Sequence, residues 1–362
     1  MERSLIKQIG SDAIKARVTS RKVKPVYFPN FFRSVPVDIL KWETLTGEKG
    51  VPVAADVISY DASAPEKTKD VISKMSGDIP KVGIKRSMNE SEWIRYDNLM
   101  QKANGRPDMV QLLDLVFNDL DFVYNGVRAR YEWLSMQQLS TGQLSLSKTN
   151  NAGGIVTEKV VDFGVPSENK AGFGTNAAWS DLANSKPIDD LEERFKFAKS
   201  KGVGIQYFIM RDEQWIQLKN SADTIAKMKA WLNTTAKFTT TLSAINAYLK
   251  ENLMPVIVII DPAVKLEAKD HTRTVVNPWE LNRVALVPDL NVGTLQHGPI
   301  AAERSAEVKK KATLYKKDFI LITKWSELEP FKEYTKAEAN AMPVLDDPET
   351  IFYLRTDNAT WS

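Results

Sequence analysis

The stretch PDMVQLLDLVFNDLDFVYNGVRARYEWLSMQQL, Pro107 to Leu139, decides how the rest of the chain is read. Leu113, Phe117, Leu120, Tyr124, Val127, Tyr131 and Leu134 recur at alternating steps of four and three. Asp114, Asn118, Asp121, Asn125, Arg128 and Glu132 fall between them on other faces, the pattern of an amphipathic helix. Pro107 stands where a first helical turn tolerates proline, and Thr141-Gly142 supplies a stop. At 1.5 Å per residue one helix over this span is roughly 50 Å long. Gly126, costly in mid-helix, predicts either close packing or a bend there. A four-and-three spacing also suits a coiled coil, but only about three heptads are present. Met109, Leu112, Leu115, Phe122 and Val123 widen the stripe beyond a two-residue seam. That width favours a helix laid across a sheet or several helices.

On the N-terminal side, Val51, Val53 and Val57 mark one strand and Ile79, Val82 and Ile84 another, with a polar stretch between them. A two-stranded ribbon is marginal in water, so this one must rest on another surface. Still earlier, Met1 to Lys24 carries Arg3, Lys7, Lys15, Arg17, Arg21, Lys22 and Lys24 against Glu2 and Asp12. So few apolar anchors cannot build a core, and the segment reads as an arm or a solvated tail.

On the C-terminal side, Leu144 and Leu146, then Asn150 to Gly154, then Val156 to Phe163 read as strand, glycine-rich turn and strand. From Pro187 onward helices and apolar strands alternate. Helices are predicted near Ile188 to Lys201, Glu213 to Leu232 and Leu242 to Asn252; strands near Ile205 to Met210, Val256 to Ile260 and Val284 to Val287. This is a compact α/β portion. Two isolated strands follow, Phe319 to Thr323 and Ile351 to Leu354.

Composition excludes several kinds of chemistry. The 362 residues contain no cysteine, which removes disulfides, thiolate metal sites and a cysteine nucleophile. Charges nearly cancel to a net +3, too little for whole-molecule nucleic-acid binding. The apolar run Val256 to Ile260 is far short of a membrane span, and no signal peptide core follows Met1, so a cytoplasmic, unsecreted chain is expected. His271 and His297 lack second ligands at metal-site spacing. Gly202-Val203-Gly204 and Gly172-Phe173-Gly174 lack the third glycine and the helix of a dinucleotide fingerprint. No phosphate loop or nucleophile elbow is present. Asp189-Asp190 and Glu192-Glu193 open a helix, where acids favour the dipole, and Asp346-Asp347 before Pro348 reads as a turn. No catalytic, cofactor-binding or metal-binding residue is therefore assigned. Nine tryptophans from Trp42 to Trp361 are dispersed, which suits anchors at subunit contacts better than a stacked nucleic-acid platform.

The order of these pieces resembles the lambda-type bacteriophage major capsid protein family, which has the Hong Kong 97 phage capsid fold. YFPNFFRSVPVDILKWETLTGEKG (Tyr27 to Gly50) is similar to the aromatic-rich end of that family's N-terminal arm. The ribbon stands at the position of its extended loop and the long helix at that of its spine. EKVVDFGVPSENKAGFGTNAAWSD (Glu158 to Asp181), GIQYFIMRDEQWIQLKN, PVIVIIDPAVKLEAKDHTRTVVNPWELNRVALVPD and MPVLDDPETIFYLRTD follow in the family's order. The resemblance implies an α+β chain with an arm at 1–48, an extended loop at 49–95, a peripheral domain with the spine helix at 96–187, an axial α/β domain at 188–304 and a C-terminal return to the peripheral domain at 305–362. It also implies a non-enzymatic shell subunit of the virion that forms hexamers and pentamers of an icosahedral shell around double-stranded DNA. Scaffold and portal proteins, and a decoration protein, are its implied partners; DNA contact would be non-specific, and no membrane is involved. The alternative is an encapsulin-like nanocompartment shell around protein cargo. From another class, an unrecognised α/β hydrolase or nucleotide enzyme stays open.

Overall fold

A computed structural model of the chain describes residues 26–47, 72–102, 109–147, 149–151, 159–171, 177–235, 239–357, 359 and 361. The basic arm, the Val51 to Val57 strand and Pro107 lie outside these residues. In chain order the elements begin with helix α1 (Phe28–Phe31), strands β1 (Phe32–Pro36), β2 (Lys41–Gly47), β3 (Ile72–Asp78) and β4 (Lys81–Asn89), and helices α2 (Glu90–Lys102) and α3 (Met109–Thr141). Strands β5 (Gln143–Leu146), β6 (Lys159–Asp162) and β7 (Lys170–Ala171) follow, then α4 (Pro187–Ser200), β8 (Tyr207–Arg211), α5 (Asp212–Asn220), α6 (Ala222–Trp231), α7 (Leu242–Glu251) and β9 (Val256–Ile260). The chain closes with β10 (Val264–Glu267), β11 (Arg273–Val276), β12 (Arg283–Val287), β13 (Gly293–His297), α8 (Ala301–Arg304), α9 (Ala306–Lys311), β14 (Thr313–Lys317), β15 (Ile320–Leu328), β16 (Phe331–Leu345) and β17 (Phe352–Arg355).

Helix α3 is the single long helix that the periodicity predicts, 33 residues without a break. It stops at Gly142, whose left-handed backbone (φ +73°) turns its N–H back to the Gln138 carbonyl at 2.8 Å. The stripe residues Leu120, Tyr124, Val127, Tyr131 and Leu134 are all buried, and so are Val123, Trp133, Met136 and Leu139 on the other faces. From Leu120 onward the helix is thus buried on more than one face, so this stretch packs within its own subunit rather than zipping to a partner along one seam. It packs against β4, β15 and β16 along one side and β5, β10 and β12 along another. Gly126 serves close packing: a Cβ there would lie 2.9 Å from Ile84 Cδ1 on β4.

A six-stranded sheet runs β1-β13-β16-β15-β14, with β4 also on β16. Strand β16 is its axis. Residues 332–340 pair with β4 and 331–338 with β15, whereas 341–345 pair with β13. Pro343 is tolerated because its carbonyl and the Leu345 N–H face away from β13. The buried Gln138 amide of α3 meets both, donating to the Pro343 carbonyl at 2.9 Å and accepting from the Leu345 N–H at 3.1 Å. A missing N–H at Pro343 therefore costs no ladder bond.

The second sheet has five strands in the order β7-β17-β12-β8-β9, with β8 parallel to β9 and β12 antiparallel to both β8 and β17. Every residue of β12 is buried. Helices α4, α5, α6 and α7 close over an apolar core that includes Trp179, Leu191, Phe208, Leu218 and Met228.

Four expectations change. The Glu213 to Leu232 helix is two helices, because Ser221 is extended (φ −60°, ψ 136°) and tied to a preceding loop. Its hydroxyl donates to the Ser185 carbonyl and the Ala222 N–H to Leu182, both at 2.8 Å. Val82 and Ile84 lie on β4, which joins β16 in the large sheet rather than standing in a free ribbon, and among the described residues the two-stranded ribbon here is β2 with β3. The segment from Phe319 is no isolated strand, since β15 turns into the fifteen-residue β16. Finally, Trp42, Trp133, Trp179, Trp215 and Trp279 are buried inside the subunit, so most of the tryptophans hold its own core.

Candidate assembly interface

The segment entering at Val26 is held by the spine. Glu132 on α3 accepts the N–H groups of Tyr27 at 2.9 Å and Phe28 at 2.9 Å, two donors that the start of α1 leaves unpaired. Phe28, Phe31 and Phe32 are buried alongside. Strand β1 then adds to β13 in parallel, Phe32 opposite Gly293 and Pro36 opposite His297. Burial pushes the Glu132 carboxyl above the ordinary glutamate range, and the two N–H groups and the nearby Arg128 charge only partly oppose it.

Strand β2 is fastened to the sheet by side chains that imitate a strand partner. Gln296 of β13 accepts the Glu43 N–H at 3.0 Å and donates to the Glu43 carbonyl at 2.7 Å. Thr44 Oγ1 donates to the Leu345 carbonyl at 2.8 Å. Trp42 lies against Phe163, with ring centroids 5.4 Å apart. The space it fills explains Gly77 on the facing strand, where a Cβ would come within 2.7 Å of the indole nitrogen. The β2–β3 ribbon is thus anchored over the body of the subunit at Trp42, Glu43 and Thr44, near its Lys41–Asp78 end, while its other end is Gly47 opposite Ile72.

The long β4–β16–β15 strip ends in the turn at Leu328, 88% exposed. Its faces carry Trp93 on Phe331 (5.4 Å), Trp325 stacked on Tyr334 (5.1 Å) and the Lys85 ammonium 4.6 Å from the Tyr334 ring. Within the strip, Glu338 is buried between Lys81 at 2.5 Å and Lys336 at 2.9 Å. Burial raises its pKa, but the two ammonium groups more than offset that and hold its carboxyl below the usual range. Glu333 and Lys324 form a second buried pair at 2.6 Å.

Exposed apolar side chains are spread over separate parts of the chain: Ile39 and Leu40 beside β2, Ile94 on α2, Val160 on β6, Val275 on β11 and Leu253 after α7. Among the described residues these sites are dispersed rather than gathered in one patch, as is ordinary on a folded surface.

The residues weighed for chemistry stay apart from one another. His271, at the tip of the β10–β11 hairpin, contacts Glu267 at 3.1 Å. His297 stacks on Phe319, and burial together with Lys316 lowers its pKa. Asp190 accepts the Trp179 indole N–H at 2.8 Å, and Asp189 pairs with Lys227. Asp346 accepts from Thr294 at 3.0 Å. Gly202 caps α4. Among the described residues no cluster of metal-ligating side chains occurs, and no helix is long and apolar enough to cross a membrane.

A spine helix enclosed by two sheets, an entering segment clasped to it and a hairpin fastened to its surface define a subunit made to be joined to others. The chain belongs to the phage major capsid protein E family, whose model matches residues 18–356. It is thus a phage major capsid protein, a structural component of the virion that assembles with its own kind into a shell. Solved structures show the same Hong Kong 97-type fold at low identity. A chain assigned as a prophage capsid protein of Escherichia coli CFT073 is 16% identical with a TM-score of 0.57, over 95% of this chain and 98% of that one. A phage-related protein from Bordetella bronchiseptica RB50 is 13% identical with a TM-score of 0.53, over 96% and 98%. A chain of the cyanophage A-1(L) capsid is 10% identical with a TM-score of 0.53, over 94% of each. No curated protein matches in sequence. Between the two shells that the resemblance left open, the family match is to the phage capsid.

Proposed function

We propose that this chain forms the hexamers and pentamers of an icosahedral head around double-stranded DNA, with no enzymatic activity of its own. Assembly takes place in the host cytoplasm with scaffold and portal proteins as partners, and a decoration protein is a further partner in this reading. In this reading residues 1–48 are the arm, 49–95 the extended loop, 96–187 the peripheral domain, 188–304 the axial domain and 305–362 the return to the peripheral domain. The basic residues between Arg3 and Lys24 make the arm the natural site of non-specific DNA contact.

The observation that carries the extended-loop assignment is the anchored hairpin: Gln296 and Thr44 fix β2, so the intervening chain is presented from a rigid base to a neighbour. Replacing residues 49–70 by a short Gly-Ser linker tests it, because β2 and β3 are kept. The expected product is a folded subunit with unchanged circular dichroism that gives no shells by negative-stain microscopy. Normal shells would overturn the loop assignment.

A further inference from the structure

Three helices end in the same way, and one of them ends on the wrong residue. After α4, Gly202 donates to the Lys199 carbonyl (3.0 Å) and Val203 to Ala198 (3.1 Å). After α6, Asn233 donates to Ala230 (3.2 Å) and Thr234 to Lys229 (3.0 Å). After α7, Leu253 donates to Lys250 (3.0 Å) and Met254 to Leu249 (2.9 Å). Each closure places one residue in the left-handed region: Gly202 at φ +78°, Asn233 at +48° and Leu253 at +55°. Glycine takes that conformation freely and asparagine tolerates it, whereas a leucine Cβ is crowded against its own backbone.

Burial does not compensate for the strain. Leu253 is 86% exposed, while Leu249 and Met254 on either side are buried in the subunit core. The strained residue is also held on a firm base. Trp231 at the end of α6 donates its indole N–H to Glu251 at 2.6 Å and packs edge-on against Tyr248 at 6.0 Å. The two helix ends are joined, and the partly exposed Leu232 stands at the neighbouring one. Leu328, equally exposed, shows no such conflict, since its backbone lies outside the left-handed region. Folding alone therefore favours glycine or asparagine at 253, and leucine there is explained by something outside the subunit.

We propose that Leu253, with Leu232 beside it, is a docking knob seated against a second copy of this chain in the assembled shell. This rests on the capsid reading, in which further copies meet each subunit on its lateral surfaces. Charge argues against a nucleic-acid occupant, because among the described residues the last turns of these two helices carry only Lys229 and Lys250, beside Glu251, which is short of a basic cluster. Strained, exposed residues of this kind are retained where they are used.

The test uses the full chain with Leu253→Gly and Leu253→Asn. In subunits held below the assembly concentration, both variants should unfold at higher urea than the wild type, because the backbone strain is relieved. Light scattering and negative-stain microscopy should show the concentration for half-assembly rising by about tenfold or more. A gain in subunit stability combined with a loss in assembly is the signature of the knob. A lower unfolding midpoint would show that Leu253 serves its own subunit and would overturn the proposal. Shells formed by the variants at the wild-type concentration would overturn it too, while leaving the capsid reading intact. Failure of the wild type to form shells in the same assay would count against the capsid reading and, with it, the knob.

Discussion

Strand β12 lies between β8 and β17 with all five residues buried, and the helices that cover this sheet come from the adjoining chain between Pro187 and Glu251. Around α3 the sheet is assembled differently. It takes β1 and β4 from early in the chain and β13 to β16 from late in it, and it buries the carboxylates of Glu132, Glu333 and Glu338. The first region takes its helical cover from chain close in sequence, although β17 and β7 join its sheet from farther away and Asp190, Arg194 and Arg283 are buried in it. The second depends on distant partners and on charge, such as the bonds from Tyr27 and Phe28 to Glu132 across more than a hundred residues. Local contacts are cheap in loop-closure entropy and distant ones are not, so the α3 region should form later and respond more to its conditions.

The sharpest way to break that contrast is to disturb the seam where early and late strands meet. A Cβ on Gly293 of β13 would fall 2.1 Å from the Val344 carbonyl oxygen and 3.0 Å from the Phe32 ring. The first of these is backbone in the middle of the sheet and cannot move aside. Gly293→Ala should cost about 3 kcal/mol or more, enough to lower the yield of folded chain and the urea midpoint together. A Cβ on Gly204, just before β8, would have no neighbouring atom within 4 Å. Gly204→Ala should therefore leave the midpoint unchanged or raise it slightly.

Removing the clasp comes next in size. Glu132→Ala leaves the Tyr27 and Phe28 N–H groups without their acceptor, at a cost of about 2 kcal/mol. The loss should be local. Chymotrypsin cleavage near Tyr27 and Phe28 should accelerate while cleavage in the five-stranded region keeps its wild-type rate. Equal acceleration in both regions would remove the distinction between them.

Two of the buried glutamates of the α3 region should also give opposite pH dependence. The Glu338 pKa is lowered in the folded chain, so its contribution is present above the ordinary glutamate value and is lost as pH falls through the lowered one. Glu338→Gln should flatten the fall in stability on the acid side. The Glu132 pKa is raised, so its contribution is fully present below the ordinary value and is lost as pH rises through the raised one. Glu132→Gln should flatten that loss instead. Urea midpoints measured across both windows read the two slopes separately.

The same contrast explains what the amino-acid sequence disclosed. Helices α3, α4 and α7 and strands β9 and β12 were legible because their apolar residues recur at the period of the element. Strand β16 was not. FKEYTKAEANAMPVL, with its alanines, lysines, glutamates and a proline, has poor strand propensity, and only pairing with β4, β15 and β13 makes it a strand. The break at Ser221 was hidden for a related reason, since its partners Ser185 and Leu182 are brought in by the fold. At the interface the order of pieces identified the family, whereas the clasp at Glu132 and the Gln296 bonds to β2 carry no local signature. Leu253 left a trace: leucine follows Asn252 where a helix stop calls for glycine, but only the backbone angle makes that a contradiction.

The smallest expected effect belongs to a partly exposed charge cluster on the helices of the five-stranded region. Lys227 on α6 pairs with Asp189 at the start of α4 and with Asp223 one turn back, both at 2.5 Å. All three side chains are partly open to solvent, and water screens what they gain from one another. Burial alone would lower the Lys227 pKa, but the two carboxylates outweigh it and the ammonium is held above its usual value. Its contribution is accordingly present through neutral pH and disappears only as pH rises through that raised value. Lys227→Met keeps the length of the stem and should cost about 0.5 kcal/mol at low salt and less at high salt. A cost approaching that of Glu132→Ala would mean that charge holds both halves of the subunit, and the difference in how their cores are built would no longer matter for stability.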